Sequence, residues 1–198
     1  MARHPIYISI DVEADGPIPG PYSMLQFGAA AFDPLVLAHE AAHIPVSTFK
    51  ANLDLLPGAS QSPDTMAWWA KQGDAYANTR VNLQEPSLAV NAFMEWCQSF
   101  NRKPIIVGYP VTYDFMWVYW YCVRFGGLPD GVRPPFSFSG MDIKTVAAVK
   151  LNCDYPQATK RGMPKAWFKG APKHTHDALD DAIGQGVLFV NMMRDLRQ

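Results

Sequence analysis

Asp11 and Glu13 stand two residues apart at the C-terminal edge of Ile6-Tyr7-Ile8-Ser9-Ile10, a short segment rich in β-branched and aromatic residues that reads as a core strand. Period two along a strand puts both side chains on one face. Two carboxylates so placed repel unless something positive sits between them, and a hard cation such as Mg²⁺ is the usual solution. The alternative is a solvated strand end. Position favours the cation, because open α/β sheets bind ligands just beyond the ends of their core strands. Asp114 falls in the first turn of a helix in which Tyr113, Phe115, Met116, Trp117, Val118, Tyr119, Trp120 and Tyr121 crowd nearly every face. It can interact with the helix dipole, but an acid in such company needs a partner. His176 and Asp181 open the last helix, in the run His174-Thr175-His176-Asp177-Ala178-Leu179-Asp180-Asp181-Ala182. Their spacing of five is not a same-face zinc pair. His176 falls in the loop or at the first helical position, with Asp181 about one turn further on and facing inward. Asp177 and Asp180 suit cap and dipole positions on the solvent side, and His174 reads as a surface residue of a basic loop.

The elements that position these groups follow from pattern. Met24 to Phe32 is a second apolar strand, and Val36 to Val46 is expected to return as a third, completing an antiparallel meander. Residues 51–62 read as loop. Ser62-Pro63-Asp64 starts a helix carrying Met66, Trp68 and Trp69 that stops near Gly73. A second helix runs from about Pro86 to Phe100, with Leu88, Phe93, Trp96 and Cys97 on its apolar face. Ile105-Ile106-Val107 is a buried strand closed by Gly108. Thr112 can cap a helix to Phe125, ended by Gly126-Gly127. Met141 to Lys150 resumes as helix, residues 152–173 are loop-like, and a last helix runs from about His176 to Leu196. Early strands followed by alternating helices and a short strand indicate a mixed-sheet α/β domain.

Three motifs on these elements resemble the DEDD exonucleases of the ribonuclease H-like superfamily, in the subclass that ends in a histidine motif. Ile8-Ser9-Ile10-Asp11-Val12-Glu13 is similar to the first motif, Tyr113-Asp114-Phe115 to the second, and His176-Asp177-Ala178-Leu179-Asp180-Asp181-Ala182 to the third. Their order and wide spacing fit, over nearly the whole chain. Thr65-Met66-Ala67-Trp68-Trp69-Ala70-Lys71-Gln72 is similar to a segment of the ribonuclease T-like exoribonucleases. The resemblance implies a ribonuclease H-like fold, a central mixed sheet with its antiparallel N-terminal meander flanked by helices, formed by residues 1–198 as one 3′–5′ exonuclease domain. It implies two Mg²⁺ or Mn²⁺ ions about 3.5–4 Å apart. Asp11 would bridge both, Glu13 and Asp181 complete the first site, and Asp114 supports the second. His176 would be the general base, and nucleoside 5′-monophosphates the products. Two positions depart from the usual pattern. Ala14-Asp15-Gly16 replaces small hydroxyl residues and glycine, and Pro110 stands where asparagine is usual. Neither removes a metal ligand.

The expected partner is a single-stranded RNA or DNA 3′ end. Met24 and Leu25 are candidates to wedge against the final base, as is Phe27, which reads equally as core. Trp68 and Trp69 point about 100° apart on a helix, so one is expected in the core and the other free to stack on a base or seal a subunit contact. Lys160, Arg161, Lys165, Lys169 and Lys173 are either phosphate contacts or a solvated loop. A net charge of −1 argues against holding long duplex by bulk electrostatics, but not against binding a short end with help from bound metal. The alternatives are a proofreading-type DNA exonuclease and a catalytically inactive nucleic-acid-binding relative. Cys97, Cys122 and Cys153 form no CxxC pair, which disfavours a disulfide framework or a structural zinc protein. The 198 residues, 48% hydrophobic, suffice for one substantial core. With neither a signal-peptide pattern nor an apolar run of spanning length, no membrane association is expected and the expected location is the cytoplasm. The resemblance also implies a homodimer.

Overall fold

The computed structural model describes residues 4–33 and 43–195. β1 (Ile6–Ala14), β2 (Met24–Phe32) and β3 (Ser47–Leu53) form an antiparallel meander, and the sheet is completed by β4 (Leu83–Gln84), β5 (Pro104–Gly108) and β6 (Gly140–Asp142). The strand order is β4-β3-β2-β1-β5-β6. β5 runs parallel to both β1 and β6, and β4 runs parallel to β3, so the sheet is mixed. The helices are α1 (Pro63–Trp69), α2 (Ala75–Asn78), α3 (Pro86–Ser99), α4 (Val111–Phe125), α5 (Ile143–Leu151) and α6 (Ala178–Asp195). Among the described residues, no helix is long and apolar enough to cross a membrane.

Alternation along β1 sorts the molecule into two layers. Ile6, Ile8, Ile10 and Val12 face α3 and α4, packing with Phe93, Cys97, Trp117 and Tyr121. Tyr7 faces the other way, its ring 5.0 Å from that of Phe189 on α6. Asp11 and Glu13 share the parity of Tyr7. The expected two-residue spacing therefore aims both carboxylates at the α6 layer. β1 and β5 are parallel, so their C-terminal ends share one sheet edge, and α4 starts three residues beyond β5 at that edge.

α6 comes close to the sheet because two glycines let it. Gly28 on β2 pairs with Asp11 on β1, and a β-carbon there would fall on the backbone of Ala178 and Leu179. Further along α6, Gly186 lies against the Phe32 ring with no room for a β-carbon. The buried Gln26 side chain fixes the start of the helix. It accepts the Ala178 N–H at 2.7 Å and donates to Asn52 Oδ1 at 2.7 Å, while Asn52 donates to the carbonyls of Asn78 and Val81.

Several element boundaries differ from expectation. The third described strand is Ser47–Leu53; of the strand expected over Val36 to Val46, residues 36–42 lie outside the described residues and residues 43–46 form no strand. Phe49 and Ala51 face the α3 layer, but Lys50 and Asn52 interrupt the apolar signal, and Asn52 is polar yet buried in the Gln26 network. The helix expected from Met141 starts at Ile143, because Asp142 ends β6 and caps α5, accepting the Thr145 N–H at 2.8 Å. The cap of α4 is likewise not Thr112: the Val111 N–H donates to Asp142 Oδ1 at 3.0 Å. Three 3₁₀ turns, Tyr155–Gln157, Lys160–Gly162 and Lys165–Phe168, punctuate the loop-like stretch before α6.

Gly28→Ala is expected to cost about 1–3 kcal/mol of stability by overpacking, measured by urea unfolding. Activity should fall with it, since α6 must retreat from Asp11. An unchanged unfolding midpoint would show that this close approach carries no energy.

Candidate active site

The ligand oxygens of Asp11, Glu13 and Asp181 lie within 4.8 Å of one another. β1 supplies the first two from one face, with a register shift between Glu13 and Ala14 within its ladder with β2. The first turn of α6 supplies Asp181. Asp114 enters from the first turn of α4, accepting the Val12 N–H at 3.2 Å. It is buried, and its charge is among those that raise the Asp11 carboxyl. The four acids named from the sequence therefore meet at one edge of the sheet.

Burial is the first cause of every raised carboxyl here. It pushes Glu13 up to about 9, with the charges of Asp181, Asp114 and Asp177 adding to it. Asp114 is pushed up to about 8, against the Val12 hydrogen bond and the charge of Lys160. Asp11 is raised by burial and then by Asp114, Glu13 and Asp181, with Lys160 opposing. Asp181 Oδ2 is buried without a hydrogen-bond partner among the described residues. Converging oxygens, an orphaned carboxylate atom and a shortage of compensating positive charge fit a hard divalent cation such as Mg²⁺ or Mn²⁺.

His176 sits in the loop just before α6, one of its two expected positions. Its backbone is left-handed (φ 57°), and Asp177 accepts the N–H groups of Leu179 and Asp180 at 3.1 and 3.4 Å. Asp177 also pairs with Lys50 across from β3. The His176 ring meets Trp68 edge-on at 4.9 Å. Burial and the neighbouring His174 lower its pKa, against the pull of Asp181. His174, expected as a plain surface residue, keeps an exposed side chain but places Nδ1 2.7 Å from Asp181 Oδ1.

The expected base contacts need correction. Met24 and Leu25 are fully buried, Met24 in the main core and Leu25 beside Trp69 and Ala75, because β2 is covered on both faces. Trp69 is also core, its Nε1–H donating to the Ala14 carbonyl at 3.0 Å. Trp68 is 41% exposed. The two departures from the usual motifs have local roles. Buried Asp15 accepts the Ser23 N–H at 2.6 Å and so closes the Gly16–Tyr22 loop, and Pro110 occupies the N-cap position of α4. Of the basic residues before α6, Lys160 is the one whose charge acts on Asp11 and Asp114, and its Nζ lies 5.1 Å from the centre of the Tyr109 ring.

Gln185 was missed by sequence reading. It is buried on α6, four residues after Asp181 and so on the same helix face. Its Nε2 donates to Asp11 Oδ1 at 2.5 Å while its Oε1 accepts the Tyr109 N–H at 2.7 Å, tying α6 to Asp11 and to the end of β5. The four-residue spacing from Asp181 was the available signal.

Comparison with known proteins agrees with this geometry. The nuclease domain of 3′hExo, a DEDDh family member bound to rAMP, superposes with a TM-score of 0.69 at 15% identity, covering 96% of this chain and 92% of that one. A 3′-exonuclease described in 3′-end specific recognition of a histone mRNA stem-loop gives 0.69 at 14% identity, covering 98% of this chain and 65% of that one. At such identities these matches establish the ribonuclease H-like fold. The 3′–5′ DNA exonuclease Cap18 of Escherichia coli is 28% identical over 190 residues, 93% of this chain and 89% of that protein. The ribonuclease H-like fold and the acids gathered at one sheet edge thus define a class of protein, the 3′–5′ exonucleases. Within that class, the chain belongs to the 3′–5′ exoribonuclease Rv2179c-like domain family, whose pattern it matches over residues 7–193.

Two predictions follow from the electrostatics and from Gln185. Glu13 and Asp114 hold protons in the fold where the unfolded chain, titrating at about 4, has lost them. The native state thus binds more protons, so stability falls as pH rises from about 4 through the folded values. In EDTA the melting temperature is expected to drop steadily between roughly pH 5 and 9, and Mn²⁺ should suppress the drop by replacing those protons. A metal-free melting temperature that climbs over this range would contradict the buried-carboxylate assignment. Gln185→Leu should raise the Mn²⁺ concentration needed for half-maximal activity by about 10–100-fold, the usual effect of losing a partner that orients a ligand.

Proposed function

We propose that this chain is a 3′–5′ exoribonuclease that removes nucleoside 5′-monophosphates from single-stranded RNA or 3′ overhangs. The observation that carries the reading is the meeting of Asp11, Glu13, Asp114 and Asp181 at one sheet edge, with His176 beside them. Asp11, Glu13 and Asp181 would hold one divalent ion, and Asp11 with Asp114 a second. When bound, these ions supply positive charge that makes water acidic at neutral pH and stabilises charge developing on the phosphodiester oxygens. The family description supports RNA as substrate, and the Trp68-Trp69 segment supports a ribonuclease T-like character.

The protein's own groups have distinct tasks in this mechanism. His176, its pKa lowered, is neutral near pH 7 and free to accept the proton of the attacking water. Trp68 holds its imidazole edge-on and leaves aromatic surface exposed on which the terminal base can stack. Gln185 and the Val12 N–H keep Asp11 and Asp114 oriented, so little reorganisation is needed as charge develops. Lys160 lines the same cleft as Asp181 and Gln185 and is placed to neutralise a substrate phosphate.

The second reading is a DNA exonuclease with the same chemistry, favoured by the name of the Escherichia coli relative. The two are separated by digesting 5′-labelled single-stranded RNA, single-stranded DNA and a 3′-tailed duplex side by side, with Mg²⁺ or Mn²⁺. RNA is expected to shorten from its 3′ end to a ladder faster than DNA, and the tail to be trimmed back to the duplex; preferential DNA cleavage selects the second reading. Asp11→Asn should abolish hydrolysis while the fold persists. His176→Ala should lower kcat by about 10²–10⁴ with Mn²⁺ affinity nearly unchanged.

A further inference from the structure

His174, His176 and Asp181 form a second group of donors that shares only Asp181 with the four-carboxylate set, with ligand atoms within 4.8 Å of one another. Spacing along the chain concealed it, since His174 and His176 lie two residues apart rather than one helical turn. Folding brings the donors together in another way. The left-handed backbone at His176 turns the chain, the Thr175 N–H donates to Asp181 Oδ1 at 3.3 Å, and the Thr175 hydroxyl donates to Asp180 at 3.0 Å. The loop is thereby folded back onto the first turn of α6. The two imidazoles then lie 4.3 Å apart, centre to centre, at 74°, with His174 Nδ1 already 2.7 Å from Asp181 Oδ1.

We propose that these three residues are a binding site for a transition-metal ion of the Zn²⁺ class, and that its occupation switches the enzyme off. The donor set supports this choice. Two imidazoles and one carboxylate suit Zn²⁺ or Co²⁺, whereas Mg²⁺ takes oxygen ligands, and divalent first-row metals bind nitrogen sites increasingly well toward the end of the series. Donors around a tetrahedral zinc ion sit about 3.3 Å apart, so side-chain movements of roughly an ångström close the shell. The exposed His174 side chain leaves an entry path and room for water as a fourth ligand. Asp181 Oδ2, buried and unpartnered among the described residues, marks the same carboxylate as short of positive charge.

Asp181 belongs to both donor groups, so an ion on the histidines competes with the hydrolytic ions for it. The same ion takes the lone pair with which His176 would accept a proton. The switching role rests on the exonuclease reading given above; the binding site itself does not.

The test measures binding and inhibition separately. Co²⁺ titrated into the purified protein should give the visible absorption of a nitrogen-ligated, low-coordinate ion, displaced by Zn²⁺. His174→Gln and His176→Gln should each weaken that binding at least tenfold, while Glu13→Gln leaves it unchanged. In saturating Mg²⁺, Zn²⁺ should inhibit hydrolysis, and His174→Gln should need at least tenfold more zinc for half-inhibition, each protein scored against its own turnover in Mg²⁺ alone. Equal Co²⁺ affinity in the native protein and His174→Gln overturns the site. Weakened binding with unaltered zinc inhibition overturns the switch. Absence of hydrolysis in the native protein with Mg²⁺ overturns the exonuclease reading and leaves Co²⁺ binding to decide the site.

Discussion

Holding like charges together in a poorly solvated place is the constraint on which the rest of this structure depends. Asp11, Glu13, Asp114 and Asp181 repel one another, and burial strengthens that repulsion by removing the water that would screen it. No single bond holds them. Asp114 is tethered through the Val12 N–H, Asp11 through Gln185, and Asp181 through the Thr175 N–H. The opposing force is the core on the far face of β1, where Ile6, Ile8, Ile10 and Val12 anchor the strand against α3 and α4. A strand locked on one face can present charge on the other without moving, which is what a cation site requires.

α6 concentrates much of the candidate site. It carries Asp181 and Gln185, and the turn before it carries His176. Its distance from the sheet therefore sets the size of the site, and that distance depends on the absence of side chains at Gly28 and Gly186 and on Gln26 holding the Ala178 N–H. Asn52 extends the same polar chain to the carbonyls of Asn78 and Val81. Packing and hydrogen bonding beyond the carboxylates thus control the geometry as much as the carboxylates themselves.

Aromatic residues divide between support and surface. Trp69 and Tyr121 are buried and bind backbone, Trp69 at the Ala14 carbonyl and Tyr121 at the Met24 N–H, stiffening the strand ends beside the acidic cluster. Trp68, adjacent in sequence, is turned outward against His176. The Tyr113 hydroxyl donates to the Gly16 carbonyl at 3.2 Å, drawing the Gly16–Tyr22 loop toward the start of α4. Asp15 closes that loop from within, so the motif departure there is a structural residue rather than a lost functional one.

Much of this was legible in the residues alone. Alternation along Ile6 to Ile10 placed Asp11 and Glu13 on one face, and the aromatic crowd around Asp114 marked it as an acid with a purpose. The Ser62-Pro63-Asp64 start located α1, an apolar face α3, and the Gly126-Gly127 stop the end of α4, to within a few residues. These are local properties, decided by backbone periodicity and near-neighbour sterics. What is absent locally could be decided only by tertiary contact. Asn52 lies in a strand that hydrophobicity does not announce, because its partner is another buried amide. Met24 and Leu25 are core because β2 is covered from both sides. Gln185 became part of the site, and His174 a neighbour of Asp181, only when α6 and the chain before it folded onto the sheet. Which acids repel is written along the chain, but which groups come near enough to relieve that repulsion depends on distances between segments that only packing sets.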